Sequence, residues 1–156
     1  MEKHIDATDM KIIRLLQQNG RMSNTEIAKK TGVSETTVRY RLQRLTKEDF
    51  IQVVAMVNPL KLGFGIEGSI RIKADIKRID DVAEALKTID SLYFVARIMG
   101  HYDFDTEYYV RSATELKTLI DTINAIDGVQ STDISTVLEY IKERYDFGDL
   151  DNGKYP

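Results

Sequence analysis

Apolar residues recur at helical spacing through the first fifty positions and then at every second position through much of the remainder, so the chain changes period partway along. Met10, Ile13 and Leu16, joined by Ile12 and Leu15, form the stripe of a first helix. Asp6 is its N-cap, and Gly20 is expected in the left-handed position that closes it. Ser23 and Glu26 form a capping box for a second, short helix that turns Ile27 and Ala28 inward and stops at Gly32. Ser34 caps a third, which runs to about Glu48. Only "TGVS" separates the last two helices, a Gly-containing turn of the kind that crosses helices steeply in a helix-turn-helix, and the small Ala28 permits their close approach. "IQVVAMVNPLKLGF" then reads as a strand followed by a linker punctuated by Asn58-Pro59, Gly63 and Gly65.

The second half alternates. "IEGSIRIKAD", "SLYFVARIMG", "FDTEYYVRS" and "STDISTVLEYIKERYDF" read as strands, while "RIDDVAEALKTID" and "TELKTLIDTINAIDG" read as helices, giving the order β-α-β-β-α-β. Ile89-Asp90 and Ile126-Asp127 close the two helices alike, an internal echo suited to the ferredoxin-like arrangement. Two helices cover one sheet face. The other face is expected to carry apolar positions such as Ile70, Ile72 and Val137 and to meet a partner chain. The fold class is therefore α+β, an N-terminal helix-turn-helix followed by a ferredoxin-like βαββαβ domain.

Composition sharpens this division. The chain has 156 residues, 42% hydrophobic and 30% charged, as in a globular protein. Residues 1–60 hold ten Lys+Arg against seven Asp+Glu, net +3, and residues 61–156 hold twelve against eighteen, net -6. That asymmetry fits a basic binding module joined to an acidic one. No apolar run approaches a membrane span and the first residues lack the layout of a secretory signal, so a cytoplasmic location is expected. With no cysteine and only His4 and His101 as imidazoles, neither a metal site nor a cofactor is expected.

The cations concentrate in "TGVSETTVRYRLQRL". On a helical wheel Leu42 and Leu45 fall within roughly 40° of Val38, and the three face a core. Thr36, Tyr40, Gln43 and Lys47 lie opposite. A recognition helix brings its N-terminal residues to base edges and its later long cations to phosphates. Thr36, Thr37, Arg39 and Tyr40, following the Ser34 cap, are thus the candidates for base edges, with Arg39 able to grip guanine bidentately. Arg41 and Arg44 are candidates for the DNA backbone. Ser23, Asn24 and Thr25, at the start of the second helix, are candidates for a phosphate. The competing readings are a solvated cationic face and a helix-turn-helix that binds protein. In "MGHYDFD", Gly100 permits positive φ and Asp103 offers a carboxylate to an α-ammonium; equally, the stretch is a hairpin turn whose aspartate caps a backbone N–H. Thr132 is a weaker addition.

Taken together, "IDATDMKIIRLLQQNGRMSNTEIAKKTGVSETTVRYRLQRLTKEDFI" and a βαββαβ module with "MGHYDFD" resemble the Lrp/AsnC, or feast/famine, family of transcription regulators over nearly the whole chain. Asp49 stands where that family commonly carries Gly. The resemblance implies a winged helix-turn-helix at 1–50, a wing and hinge strand with linker at 51–65, an effector-binding and oligomerisation domain at 66–147, and a tail at 148–156. It implies homodimers that assemble into tetramers or octamers on double-stranded promoter DNA. It further implies an amino-acid effector at the Gly-x-x-Asp turn between dimers, which matches Gly100, Tyr102 and Asp103. Two other function classes compete: an effector-independent architectural DNA protein, and an enzyme like the haem-pathway decarboxylases that resemble this family. The latter depend on histidines and arginines around a tetrapyrrole, and no nucleophile-base pair, phosphate loop or acid pair is evident here.

Overall fold

The computed structural model describes residues 4–142, which divide between Met56 and Val57 into two compact units. The first contains α1 (Ala7–Gln18), α2 (Asn24–Thr31) and α3 (Glu35–Lys47). Each begins on a residue that satisfies otherwise orphaned N–H groups. The Asp6 carboxylate accepts from the Thr8 and Asp9 N–H groups while the Asp9 carboxylate accepts from the Asp6 N–H. Ser23 and Glu26 form the expected capping box, and the Ser34 hydroxyl accepts from the Thr37 N–H. Ile12, Ile27, Val38 and Leu45, all without exposure, pack the three helices together, with Ala28, Leu42 and Phe50 against them.

Two helix ends carry information. Gly20 is not left-handed: α1 closes at the extended Asn19, whose N–H bonds the Leu15 carbonyl and whose side-chain oxygen accepts from the Arg21 N–H. Gly32, where α2 stops as expected, is the left-handed one, at φ 77°. After α3, Asp49 adopts φ 59°. The Phe50 N–H then reaches the Leu45 carbonyl at 2.9 Å and the Asp49 N–H the Thr46 carbonyl at 3.2 Å, the paired bonds that a left-handed residue makes possible. Aspartate tolerates this backbone better than most side chains, though less well than glycine.

The strand expected from Ile51 has no ladder partner among the described residues, and Val53, Val54, Met56 and Val57 are exposed. A period-2 apolar pattern predicts an extended run, but a strand also needs a neighbour. One 3-10 turn, Leu60–Leu62, follows Pro59.

The second unit runs β1 (Ile66–Ala74), α4 (Ile79–Lys87), β2 (Leu92–Arg97), β3 (Phe104–Val110), α5 (Ala113–Asn124) and β4 (Val129–Thr136). Its sheet is ordered β2-β3-β1-β4, with every neighbour antiparallel. The internal echo is visible in the bonding: Ile89 and Ile126 each donate back three residues to end a helix, and their carbonyls accept from Leu92 and Val129, where the next strands begin.

The uncovered face differs from expectation. Ile70 and Ile72 are fully buried in the core with Phe104, Tyr108, Val82, Leu86, Leu119 and Ile123, because the helices take the apolar register of the strands. The opposite register carries Glu67, Ser69, Arg71 and Lys73 of β1 and Asp105, Glu107 and Tyr109 of β3. That face is charged and aromatic. Tyr93 stacks on Tyr109 at 4.6 Å and donates its hydroxyl to Glu107, and burial followed by this bond raises the Tyr93 pKa. β4 ends at Thr136, well short of the long strand expected; the end of that expected strand and the tail lie outside the described residues.

Candidate nucleic-acid interface and effector turn

On α3 the outward face is Glu35, Thr36, Arg39, Tyr40, Gln43 and Lys47, all exposed, with Tyr40 at 68%. Thr37 is half-buried and its hydroxyl lies 2.8 Å from that of Ser34. Arg39 points outward and pairs with Glu35 at 3.2 Å, while Glu35 also accepts from the Thr25 hydroxyl at 2.9 Å.

Arg41 and Arg44, expected against the DNA backbone, turn inward. Arg41 donates to Asp9 at 2.8 Å and to Asp6 at 2.6 Å, and Arg44 donates to the second Asp9 oxygen. Their side chains are only 23% and 29% exposed and Asp9 is fully buried. The physical reason is that a buried carboxylate needs cationic partners, and α3 supplies both. Hydrogen bonding from the Asp9 N–H, then the Arg41 guanidinium, holds the Asp6 carboxyl at about 2. Those same bonds to Asp6 and Asp9 raise the Arg41 pKa. Sequence reasoning missed this clamp although a clue was present: Asp9 stands three and four residues before Ile12 and Ile13, on the buried stripe of α1.

At the start of α2, the Ser23 N–H and hydroxyl both go to the Glu26 carboxylate, which these bonds hold below its usual range. Of the three residues expected to meet a phosphate there, Ser23 is thus bound to Glu26 and Thr25 to Glu35; Asn24 lies beside them, half-buried.

In the second unit, Gly100 takes φ 152° in the turn between β2 and β3. The Asp103 carboxylate accepts from the Ala74 N–H at 2.9 Å and pairs with Lys73 at 3.1 Å, and these bonds, in that order of effect, hold it below the ordinary carboxylate range. It caps β1 where the pairing with β4 shifts register. The Tyr102 hydroxyl lies 3.3 Å from Asp133, which pairs with Arg71 at 3.1 Å, and the Arg71 guanidinium sits 5.4 Å from the Tyr102 ring centre. Thr132 does not join this cluster. Its hydroxyl donates to Asn124 of α5, on the other side of the sheet. Arg71 and Asp133 were missed because only cross-strand register brings them together.

Among the described residues, no group of three or more His, Asp or Glu is placed to hold a metal ion, and no helix is long and apolar enough to cross a membrane. A helix-turn-helix with an outward polar face, followed by an α+β domain, is the build of a two-domain transcriptional regulator. Residues 5–46 match the AsnC-type helix-turn-helix domain and residues 68–147 the Lrp/AsnC ligand binding domain. The chain belongs to the Lrp/AsnC family of transcriptional regulators. It is 35% identical over 143 residues to an HTH-type transcriptional regulator of Pyrococcus abyssi, spanning 90% of each chain. The structure of E. coli AsnC superposes with a TM-score of 0.83 at 29% identity, covering 91% of this chain and 97% of that one. A transcriptional regulator of Neisseria meningitidis, solved as an L-Met complex, shares the fold at a TM-score of 0.83 and 24% identity, covering 92% and 96%.

Proposed function

We propose that the protein binds double-stranded operator DNA selectively as a homodimer, assembles further to a tetramer or octamer, and regulates transcription in the cytoplasm without catalysing a reaction. Residues 1–50 serve as the DNA-binding domain, 51–65 as the hinge and 66–147 as the effector and assembly domain. The observation that carries this reading is the outward face of α3: Thr36, Arg39 and Tyr40 are exposed while Val38 and Leu45 are fully buried. A two-fold dimer presents that face to major grooves about one helical turn, or whole turns, apart. Ser34 and Thr37 shape the helix tip, Asn24 and the first turn of α2 lie toward the phosphates, and Arg41 and Arg44 act through the Asp9 clamp. Selection from random duplexes, then footprinting, tests it: two half-sites protected together are expected, and equal affinity for selected and random DNA at moderate salt overturns it.

For the second domain, the proposed effector is an amino acid at the Gly100–Asp103 turn, with Tyr102 lining the site beside Arg71 and Asp133. The matched ligand-binding domain and the L-Met complex of the Neisseria fold neighbour support this class of ligand. An effector-independent regulator is the second reading, favoured because Lys73 and the Ala74 N–H already occupy Asp103. Calorimetry against the twenty amino acids separates the two. Binding of one of them, weakened in Arg71→Ala and Asp103→Ala, supports the effector site. Binding of none supports the second reading.

A further inference from the structure

The first turn of α3 holds a carboxylate where a DNA-reading helix meets dense negative charge. Glu35 is 45% exposed and is held at both oxygens from two helices: Thr25 of α2 donates to Oε2 at 2.9 Å and Arg39 to Oε1 at 3.2 Å. A carboxylate fixed this way is partly neutralised and oriented. Each oxygen spends one of its two lone pairs on these bonds, and the Arg39 contact uses one of the five donors of a guanidinium. Acceptor and donor therefore stand side by side at the helix tip, the part of a recognition helix nearest the base edges.

We propose that Glu35, braced by Thr25 and Arg39, reads a cytosine in each half-site by accepting a hydrogen of its N4 amino group, while Arg39 donates to a guanine of the same half-site. Cytosine presents only a donor in the major groove. Guanine presents acceptors and thymine an acceptor and a methyl, all of which oppose a carboxylate. Adenine sets its N7 acceptor beside its amino group, so the second carboxylate oxygen would face a lone pair. Thr25 is a positioning residue, acting through Glu35. This assignment rests on the reading of α3 as a DNA-binding element.

The test uses the full chain and selection from random duplexes, with affinities measured on the enriched site and on its single-base variants. Wild type is expected to enrich one cytosine at a fixed place in each half-site. Glu35→Gln is nearly isosteric but both donates and accepts, as adenine requires, so its preference at that place shifts toward adenine and its discrimination for cytosine over adenine there falls roughly 5- to 150-fold. Thr25→Val lowers discrimination at that place and leaves the other positions unchanged, which a merely structural role would not do. Thermal melts establish that both variants fold. A wild-type motif left unchanged by Glu35→Gln, or tighter binding of that variant to every sequence alike, overturns the Glu35 assignment alone. Failure of wild type to enrich any motif overturns it together with the DNA-binding reading.

Discussion

Asp9 has no exposed surface and holds two arginines of α3, so it fixes the third helix upon the first. Asp9→Ala removes the shared acceptor and leaves both guanidiniums partly buried without it. The expected loss is about 3 kcal/mol, toward the low end of the range for broken buried pairs because Arg41 keeps Asp6 and both arginines retain some contact with water. Urea unfolding measures it, and Arg44→Ala is likewise expected to lower stability before it alters any salt dependence of DNA binding. Asp6 sets a pH window. Its folded pKa of about 2 lies below the ordinary 3.8, so as pH falls the unfolded chain takes up that proton first. The stabilisation is full above about pH 5 and is lost as pH falls through 3.8 toward 2. Melting temperatures across that range, wild type against Asp6→Asn, should converge at the acid end. From sequence, Arg39 looked free to reach a base and Arg41 and Arg44 the DNA backbone. A helical wheel describes one helix at a time and does not show that α1 sends the Asp9 carboxylate to Arg41 and Arg44.

At the scale of elements, the helices were legible because their caps are local: Asp6, Ser23, Glu26 and Ser34 each act within three residues. The β-α-β-β-α-β order was legible too, since a change of period and a repeated Ile-Asp helix end survive in one dimension. The identity of the covered face was not. β1 alternates cleanly, but alternation states only that two faces differ, and the helices claimed the register of Ile70 and Ile72. Nor was the length of β4, which depends on how far β1 can offer partners. One element contact makes a sharp test. A Cβ at Gly68 would run into the Ser135 carbonyl and the Tyr108 hydroxyl, and with backbone on one side there is little room to give. Gly68→Ala is therefore expected to cost about 1–3 kcal/mol, as overpacking does. Denaturant midpoints check it. Gly100→Ala, where a Cβ would enter open space but φ is unfavourable, provides a contrast confined to backbone strain.

For the whole molecule, the charged and aromatic sheet face changes what assembly should look like. The second unit carries its own core, and a fragment of residues 66–147 is expected to form a dimer or larger species in sedimentation at low ionic strength. Glu67, Arg71, Lys73, Asp105, Glu107 and Asp133 on that face make the association sensitive to salt, since screening shortens from about 10 Å at 0.1 M to about 3 Å at 1 M. A monomer at low salt, at tens of micromolar, would place the assembly surface elsewhere. The clamp in the first unit has a consequence of another kind. Because the buried Val38 and Leu45 and the Asp9 pairs with Arg41 and Arg44 hold α3 in place, the exposed Thr36, Tyr40 and Gln43 are spared that work. On the proposed reading, single substitutions at those outward residues would change base preference one position at a time while the helix itself stays moored.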